Sequence, residues 1–468
     1  MKNTMKGIGP YSAKIDRPPR RGFPHVVPPA ENPKPGHGRK AVVPRPSRPA
    51  GRSAFHSACL PAGVLATVLV VSALMLLSVL GVLALWESDF LFFSRAGYLS
   101  RQRANVESAF VLYAADSTLT ARLDEEGGLR LYDSLPDSRV RIAVRPWGLY
   151  EAVRVEAADP RIVPTRLFGS AAPFACPPDE SGGLWYATDA ASLSLTGRTA
   201  LHGRLRLPRH GVQYGQIRSV FFRGERIEGA RTAYAGKELP SVRTDARRMT
   251  DSLLRLLETP GVWTPTPDSL SVGFGEAEPR LLDAGSLGPG ARVEGMAVLL
   301  GEEVSIDSTC RLRDVLVVGR TIRVEDGFCG TAQLLASDTV LIGRRVTLGY
   351  PSGVFVAREN PDRYIEIGPD SRVEGYAIVD GDGKPDVKRA NYRQDRTAVL
   401  RGLLWADGAA QVRGIVSGSL AANRFVYYSS EGYYEDMLYD LTLLENPAAA
   451  YPLWAETAYR RKEAGWVR

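Results

Sequence analysis

The octapeptide GPGARVEG at residues 288–295 returns, six letters of eight unchanged, as GPDSRVEG at residues 368–375. Between and around the two copies runs a looser pattern: VLLGEEVSI, LVVGRTIRV, LIGRRVTL and IEIGPDSRV. Each has an apolar pair, a glycine, two or three polar residues and then apolar-x-apolar. The glycines are Gly301, Gly319, Gly343 and Gly368, at spacings of 18, 24 and 25. Short strands with a turn every few residues, repeating at about 20, predict stacked coils of a β-solenoid. One coil cannot bury its inward Val, Ile and Leu alone, whereas stacked coils bury them against the same positions above and below. Glycine at the corners supplies positive φ, and Pro289 and Pro369 suit turns rather than a central ladder. The expected solenoid covers 285–425, and the twin octapeptide is one corner type used twice.

The second constraint is the 27-residue run Leu60 to Trp86, which carries no charge. As a helix it would be about 40 Å long, more than the roughly 30 Å hydrocarbon core, so it spans with tilt. A transmembrane helix is expected over 59–86, and the lipid bilayer is the first partner. Residues 1–58 hold 12 Lys/Arg against Asp16 and Glu31, which leaves the rest of the chain at −3 of the total +7. The basic pI therefore belongs to a tail, and nucleic acid is not an expected partner. The tail is Pro-rich with no apolar period, so disorder is expected. Arg39, Lys40, Arg45, Arg48 and Arg52 before the span outweigh Arg95, Arg101 and Arg103 after it. The positive-inside rule then puts the N-terminus in the cytoplasm, the span in the cytoplasmic (inner) membrane and the C-terminal domains outside.

After the span, Leu99, Val106, Phe110 and Tyr113 recur at near-helical spacing, which predicts a helical stalk over 87–126 ended by Gly127–Gly128. Residues 127–262 alternate like strands and predict a small β-rich domain with a short helix at 244–258. The Tyr-dense stretch from 426 to 468 is expected to cap the last coil, with WAETAYRRKEAG as a final short helix. The fold class is thus mainly β: an N-terminal transmembrane and stalk helix, a small β-rich domain, and a C-terminal parallel β-helix.

Two resemblances follow from these residues. The apolar helix, stalk and β-rich head over 60–160 resemble pilin-like and pseudopilin-like subunits in layout, without a Gly-Phe processing site before the apolar run or a Glu near its start. The VRGIVSGSL rhythm over 285–425 resembles bacterial β-solenoids of the bactofilin-like, polymer-forming group.

Candidate chemistry is sparse. AIVDGDGKPD offers Asp380, Asp382 and Asp386 as oxygen ligands for Ca2+, but Lys384 and Pro385 break EF-hand spacing, and a polar loop with no cofactor is the plainer reading. Asp380-x-Asp382 is also similar to the DxD motif of glycosyltransferases, on flanks that lack strand–helix alternation. Cys310 and Cys329 occupy nearly equivalent coil positions, and stacked positions about 4.8 Å apart suit a disulfide. Asp307, Asp314, Glu325 and Asp338 are candidate carboxylates on one face, and Tyr433 and Tyr434 a candidate ligand surface. His202 and His210 are the only histidines beyond the tail, and HExxH, GxSxG, P-loop and GxGxxG motifs are absent. The sequence therefore points away from an enzyme. It points to a single-pass, membrane-anchored scaffold or assembly component of the cell envelope with envelope-protein partners. The alternatives are a polysaccharide-binding or polysaccharide-degrading β-helix protein and a pseudopilin-like subunit.

Overall fold

A computed structural model of the chain describes residues 62–467 apart from 117, 124–126, 134, 175–182, 228, 277, 383–388, 431 and 458–459. The expected disordered tail, Cys59, Cys176 and Asp386 lie outside the described residues. The protein is mainly β with one long N-terminal helix. It divides into two compact units, Met1–Leu80 and Gly81–Arg468.

Helix α1 runs unbroken over Ala62–Ala115. Among the described residues it is the one helix long and apolar enough to cross a membrane. In the first unit its side chains are exposed throughout. It stops eleven residues short of the expected stalk end, and Leu119–Arg122 is a separate 3-10 turn.

In the second unit, the last turns of α1 lie on an antiparallel sheet. Its strands, in order, are Gly128–Arg130, Arg139–Trp147, Tyr150–Glu156, Thr165–Ser170 and Arg461–Val467. Val106, Ala109, Phe110 and Tyr113 bury against Val140, Ile142, Val153, Val155 and Phe168. This is one apolar stripe at helical period meeting one face of a period-2 sheet. The fifth strand replaces the short helix expected near the C-terminus. Its Arg461 donates through Nη1 to the carbonyls of Tyr113 (3.1 Å) and Asp116 (3.0 Å). It thereby satisfies acceptors that the end of α1 leaves open and sets a cation against the helix dipole.

Between the fourth and fifth strands of that sheet the chain builds a large, almost wholly parallel sheet that closes on itself. Successive turns of chain pair in register: Val298↔Leu316↔Gln333 is followed by Gly353↔Tyr376↔Leu403↔Ser419. Each turn supplies strand segments to three faces. The first face holds segments such as Arg292–Gly295 and Arg311–Arg313, the second the starts of Ala297–Ile306 and Val315–Val324, the third the ends of those same strands. Side chains alternate inward and outward, and the inward set forms one continuous core of Val, Ile, Leu, Ala and Phe.

The second face is buried on both sides. Its outward Val298, Leu316, Val318, Leu335, Phe355 and Trp405 are covered by helix α2 (Thr244–Arg255), by Trp147–Tyr150 and by the segment around Trp454. That double burial explains why AVLLG, VLVVG and GVFVA are apolar at every position, whereas RVE and TIRV on the other faces alternate.

The twin octapeptides occupy matching corners. Gly290 (φ +78°) and Asp370 (φ +58°) are both left-handed. Each donates its N–H to a threonine of the next turn, Thr309 and Thr397, at 2.8 Å. Those threonines are themselves held by Asp307 and Asp395 (2.8 and 3.0 Å). Val293 and Val373 point inward, fully buried. Gly295 and Gly375 close each copy at positive φ, where a Cβ would fall on the carbonyl oxygen of Val272 or Ser352 in the preceding turn.

The order of turns is not the order of sequence. The strand Gly414–Ser429 pairs with Gly183–Tyr186, which pairs with Arg204–Leu207 and then Thr232–Tyr234. Leu441–Leu444 likewise pairs with Ala200–Leu201. Residues 183–234, expected in a separate β-rich domain, therefore extend the parallel stack beyond residue 444. Residues 437–444 extend it too rather than capping it. At the other end the stack begins before residue 285, with Thr264–Pro265 and Arg280–Asp283. Helix α2 lies where the sequence places a short helix, with Leu256–Glu258 as a 3-10 turn.

Candidate functional site

The expected site residues lie apart from one another in the fold. Asp380 is buried at a corner, where its carboxylate accepts from Arg247 (2.9 Å) and from the Gly381 N–H (3.0 Å). Burial pushes its pKa up, and Arg247 opposes that shift. Its neighbours one and two turns on are Asp407 and Asn423, because Val379 pairs with Ala406 and Ala406 with Ala422. Asn423 donates to the Asp407 carboxylate. The Asp380 carboxylate is thus engaged by a guanidinium, and Asp382 is exposed. Among the described residues no group of three or more His, Cys, Asp or Glu side chains could hold a metal ion.

Cys310 and Cys329 are free thiols, so the candidate disulfide is not formed, and its alternative of two buried thiols holds only for Cys310, since Cys329 is exposed. The reason is a one-residue offset. Arg292 pairs with Arg311, and the Arg311 N–H donates to the Ala291 carbonyl. The Thr331 N–H donates to the Leu312 carbonyl at 2.9 Å. By the same pattern Phe328 lies beside Cys310, and Cys329 beside Arg311. Cys310 and Phe328 point into the core, while Cys329 points out. A shift of one residue along a strand reverses the face.

The four carboxylates do not converge. Asp307 is held by Thr309, which lowers its pKa. Asp338 pairs with Arg320 (3.0 Å), and Glu325 accepts from the Ser305 hydroxyl (3.2 Å). Asp314 alone lines a cavity. Tyr433 and Tyr434 sit on a hairpin strand, Gly432–Glu435, opposite Tyr428 and Tyr427. Their rings lie 6.2 and 6.3 Å from those partners. This is cross-strand aromatic pairing, with Tyr433 exposed. His202 and His210 lie just beyond strand ends, apart from any acidic or thiol cluster.

One concavity was not revealed by glycine spacing. An open groove of about 880 Å3 runs along the first face. Its outward side chains are Arg292 and Glu294 from one turn, Arg311 and Arg313 from the next, Cys329 from the third and Thr347 from the fourth. Tyr350 and Pro351 close one side, where the Tyr350 hydroxyl donates to the Ala450 carbonyl (2.7 Å). Burial pushes the Tyr350 phenol well above its ordinary value. Asp314 lies in the groove with its pKa raised by burial, against the lowering effect of the Thr331 hydroxyl and Arg313. The signal was present in the sequence as RVE and RLR triplets, in which a buried aliphatic residue separates two outward charges.

A second buried polar group has a purely structural task. The Gln333 side chain projects from the second face. Its Nε2 donates to the Trp147 carbonyl (2.9 Å), and its Oε1 accepts from the Leu149 N–H (2.9 Å) and the Tyr376 hydroxyl (2.9 Å). It ties the antiparallel sheet's hairpin to the parallel stack.

No protein-family model matches this chain, and neither does a curated protein or a solved structure.

Proposed function

We propose that the closed parallel sheet is a β-solenoid, and that the protein is a non-catalytic, membrane-anchored component that holds this solenoid outside the cytoplasm for assembly of an envelope structure. One observation carries the reading. A single helix supplies both the exposed apolar stretch and the buried stripe at Val106–Tyr113, and the parallel stack is inserted between two neighbouring strands of the sheet that receives that stripe. Such a plan makes the stack cargo on an anchored stem. Asp307, Glu325 and Asp338 are held by Thr309, Ser305 and Arg320, and of the four candidate carboxylates only Asp314 lies in the groove, which favours display over catalysis.

The helix-on-antiparallel-sheet module also favours the pseudopilin-like alternative as a description of the stem. The two are separated by intact-mass measurement of the native protein. A pseudopilin-like subunit loses the residues before the apolar run, whereas a signal-anchored scaffold keeps them.

The location is tested on intact spheroplasts with added protease. The proposal expects residues after 115 to be digested and the N-terminal tail to be protected, with the full-length protein co-purifying with other envelope proteins from solubilised membranes. Protection of the C-terminal domains would overturn it.

A further inference from the structure

We propose that the groove on the first face is a binding site for a linear acidic polysaccharide lying along the stack axis. Charge is distributed one-sidedly over the stack. Residues 59–468 carry a net −3, yet the first face is basic. Arg292, Arg311, Arg313, Arg372 and Arg401 point outward from it against Glu294, Glu374 and the groove-lining Asp314. On the third face, over the same turns, Arg323 and Arg393 are matched by Glu303 and Glu366, and at the corner before it Arg320 stands with Glu302 and Asp338. The basic character is therefore a property of one face and not of the molecule.

The geometry selects a long ligand. From Arg292–Gly295 to the start of Val399–Gln411 the face spans six stacked segments, about 24 Å at roughly 4.8 Å each. Arginines stand on the first two segments (Arg292, Arg311, Arg313) and the last two (Arg372, Arg401), with Cys329 and Thr347 on the two between, so a polymer with carboxylates spaced along it meets cations at both ends of the line. Glu294 holds Arg292 (3.1 Å), Glu374 holds Arg401 (3.1 Å) and lies 3.8 Å from Arg372, and Asp314 lies 3.7 Å from Arg313. Among the described residues Arg311 has no ion pair, so its planar fork is free for bidentate contact with a carboxylate. The groove is also lined by Ser308, Thr347 and the side of Tyr350, groups suited to sugar hydroxyls and to the apolar faces of sugar rings. The extracytoplasmic placement proposed above is what brings a polysaccharide within reach, whereas the preference over nucleic acid rests on the groove itself: an arginine fork for planar carboxylates and hydroxyls with the side of Tyr350 for sugar rings.

The test uses purified full-length protein in detergent at about 0.15 M salt. The probes are polygalacturonate, neutral dextran, a single-stranded DNA and polyglutamate matched in charge, followed by calorimetry. Polygalacturonate should bind, dextran should not, and the DNA and polyglutamate should bind at least tenfold more weakly. Arg311→Gln with Arg313→Gln should weaken polygalacturonate at least tenfold while leaving the thermal midpoint unchanged. Arg393→Gln on the third face should bind as the parent does. Unchanged affinity in the double variant, equal binding of DNA or polyglutamate, or no binding of polygalacturonate would each overturn the proposal. Because calorimetry in detergent does not depend on topology, failure here is distinguishable from failure of the protease experiment.

Discussion

Gly375→Ala and Gly402→Ala should each lower the unfolding free energy by about 2–6 kcal/mol, the sum of a glycine-only backbone region and a steric overlap with main chain. Both sit at positive φ (+135° and +132°) and stack on one another, Gly402 against Gly375 and Gly418 against Gly402. An added Cβ at Gly375 meets the Ser352 carbonyl oxygen, and one at Gly402 meets that of Gly375. Neither neighbour can swing aside as a side chain would, because each is part of the ladder. Against a typical total of about 5–15 kcal/mol, such a loss shows as a large fall in the urea midpoint or as failure to accumulate. Gly288→Ala is the matched control. It opens the first octapeptide, and no atom lies within 4 Å of the position its Cβ would take. Its midpoint should stay within about 0.5 kcal/mol of the parent, the usual range for surface changes.

The second large effect is expected at Gln333. Gln333→Leu keeps the volume but strands the Leu149 N–H and the Trp147 carbonyl, at about 1–3 kcal/mol for each buried unsatisfied group. The Tyr376 hydroxyl loses its acceptor as well. The loss should be local before it is global. Hydrogen exchange at Trp147–Tyr150 should accelerate by two orders of magnitude or more, while the strands of the first and third faces keep their protection. Gly148→Ala should produce the same pattern by another route, because its Cβ would fall on the Gln333 amide, 2.7 Å from Nε2. Uniform acceleration over the stack would show that the hairpin and the stack are not joined through this side chain.

Much of the architecture could be read from particular residues. The twin octapeptides marked equivalent corners because the same backbone conformation needs the same glycine or aspartate, proline and threonine partners. Leu60–Trp86 marked an apolar helix, and Val106, Phe110 and Tyr113 marked the face it buries. The order of turns was not legible. LSLTG and RLRLP at 193–197 and 204–208 have the apolar-x-apolar signature of the later turns, but nothing local states that they stack beyond residue 444. Non-local pairing of that kind is fixed by the core, not by neighbouring sequence. The C-terminal strand failed for the same reason: its polar, Arg-rich sequence reads as an exposed helix until Arg461 meets the end of α1. The disulfide failed on register, since a spacing correct to one residue is still wrong by a whole face. The arginine groove was hidden because each RVE or RLR triplet is ordinary alone and becomes a basic surface only when stacked.

Residues 183–234 reach the far end of the stack through one junction. Thr442 and Ala200 are neighbours across that junction, while Val399 lies three segments from Ala200 through Ile415 and Thr442, about 14 Å away. In a background lacking the four native cysteines, Thr442→Cys with Ala200→Cys should oxidise to an intramolecular disulfide, found as a joined peptide by mass spectrometry. Val399→Cys with Ala200→Cys should not. A cross-link in the second pair and none in the first would place residues 183–234 elsewhere and contradict the fold described here.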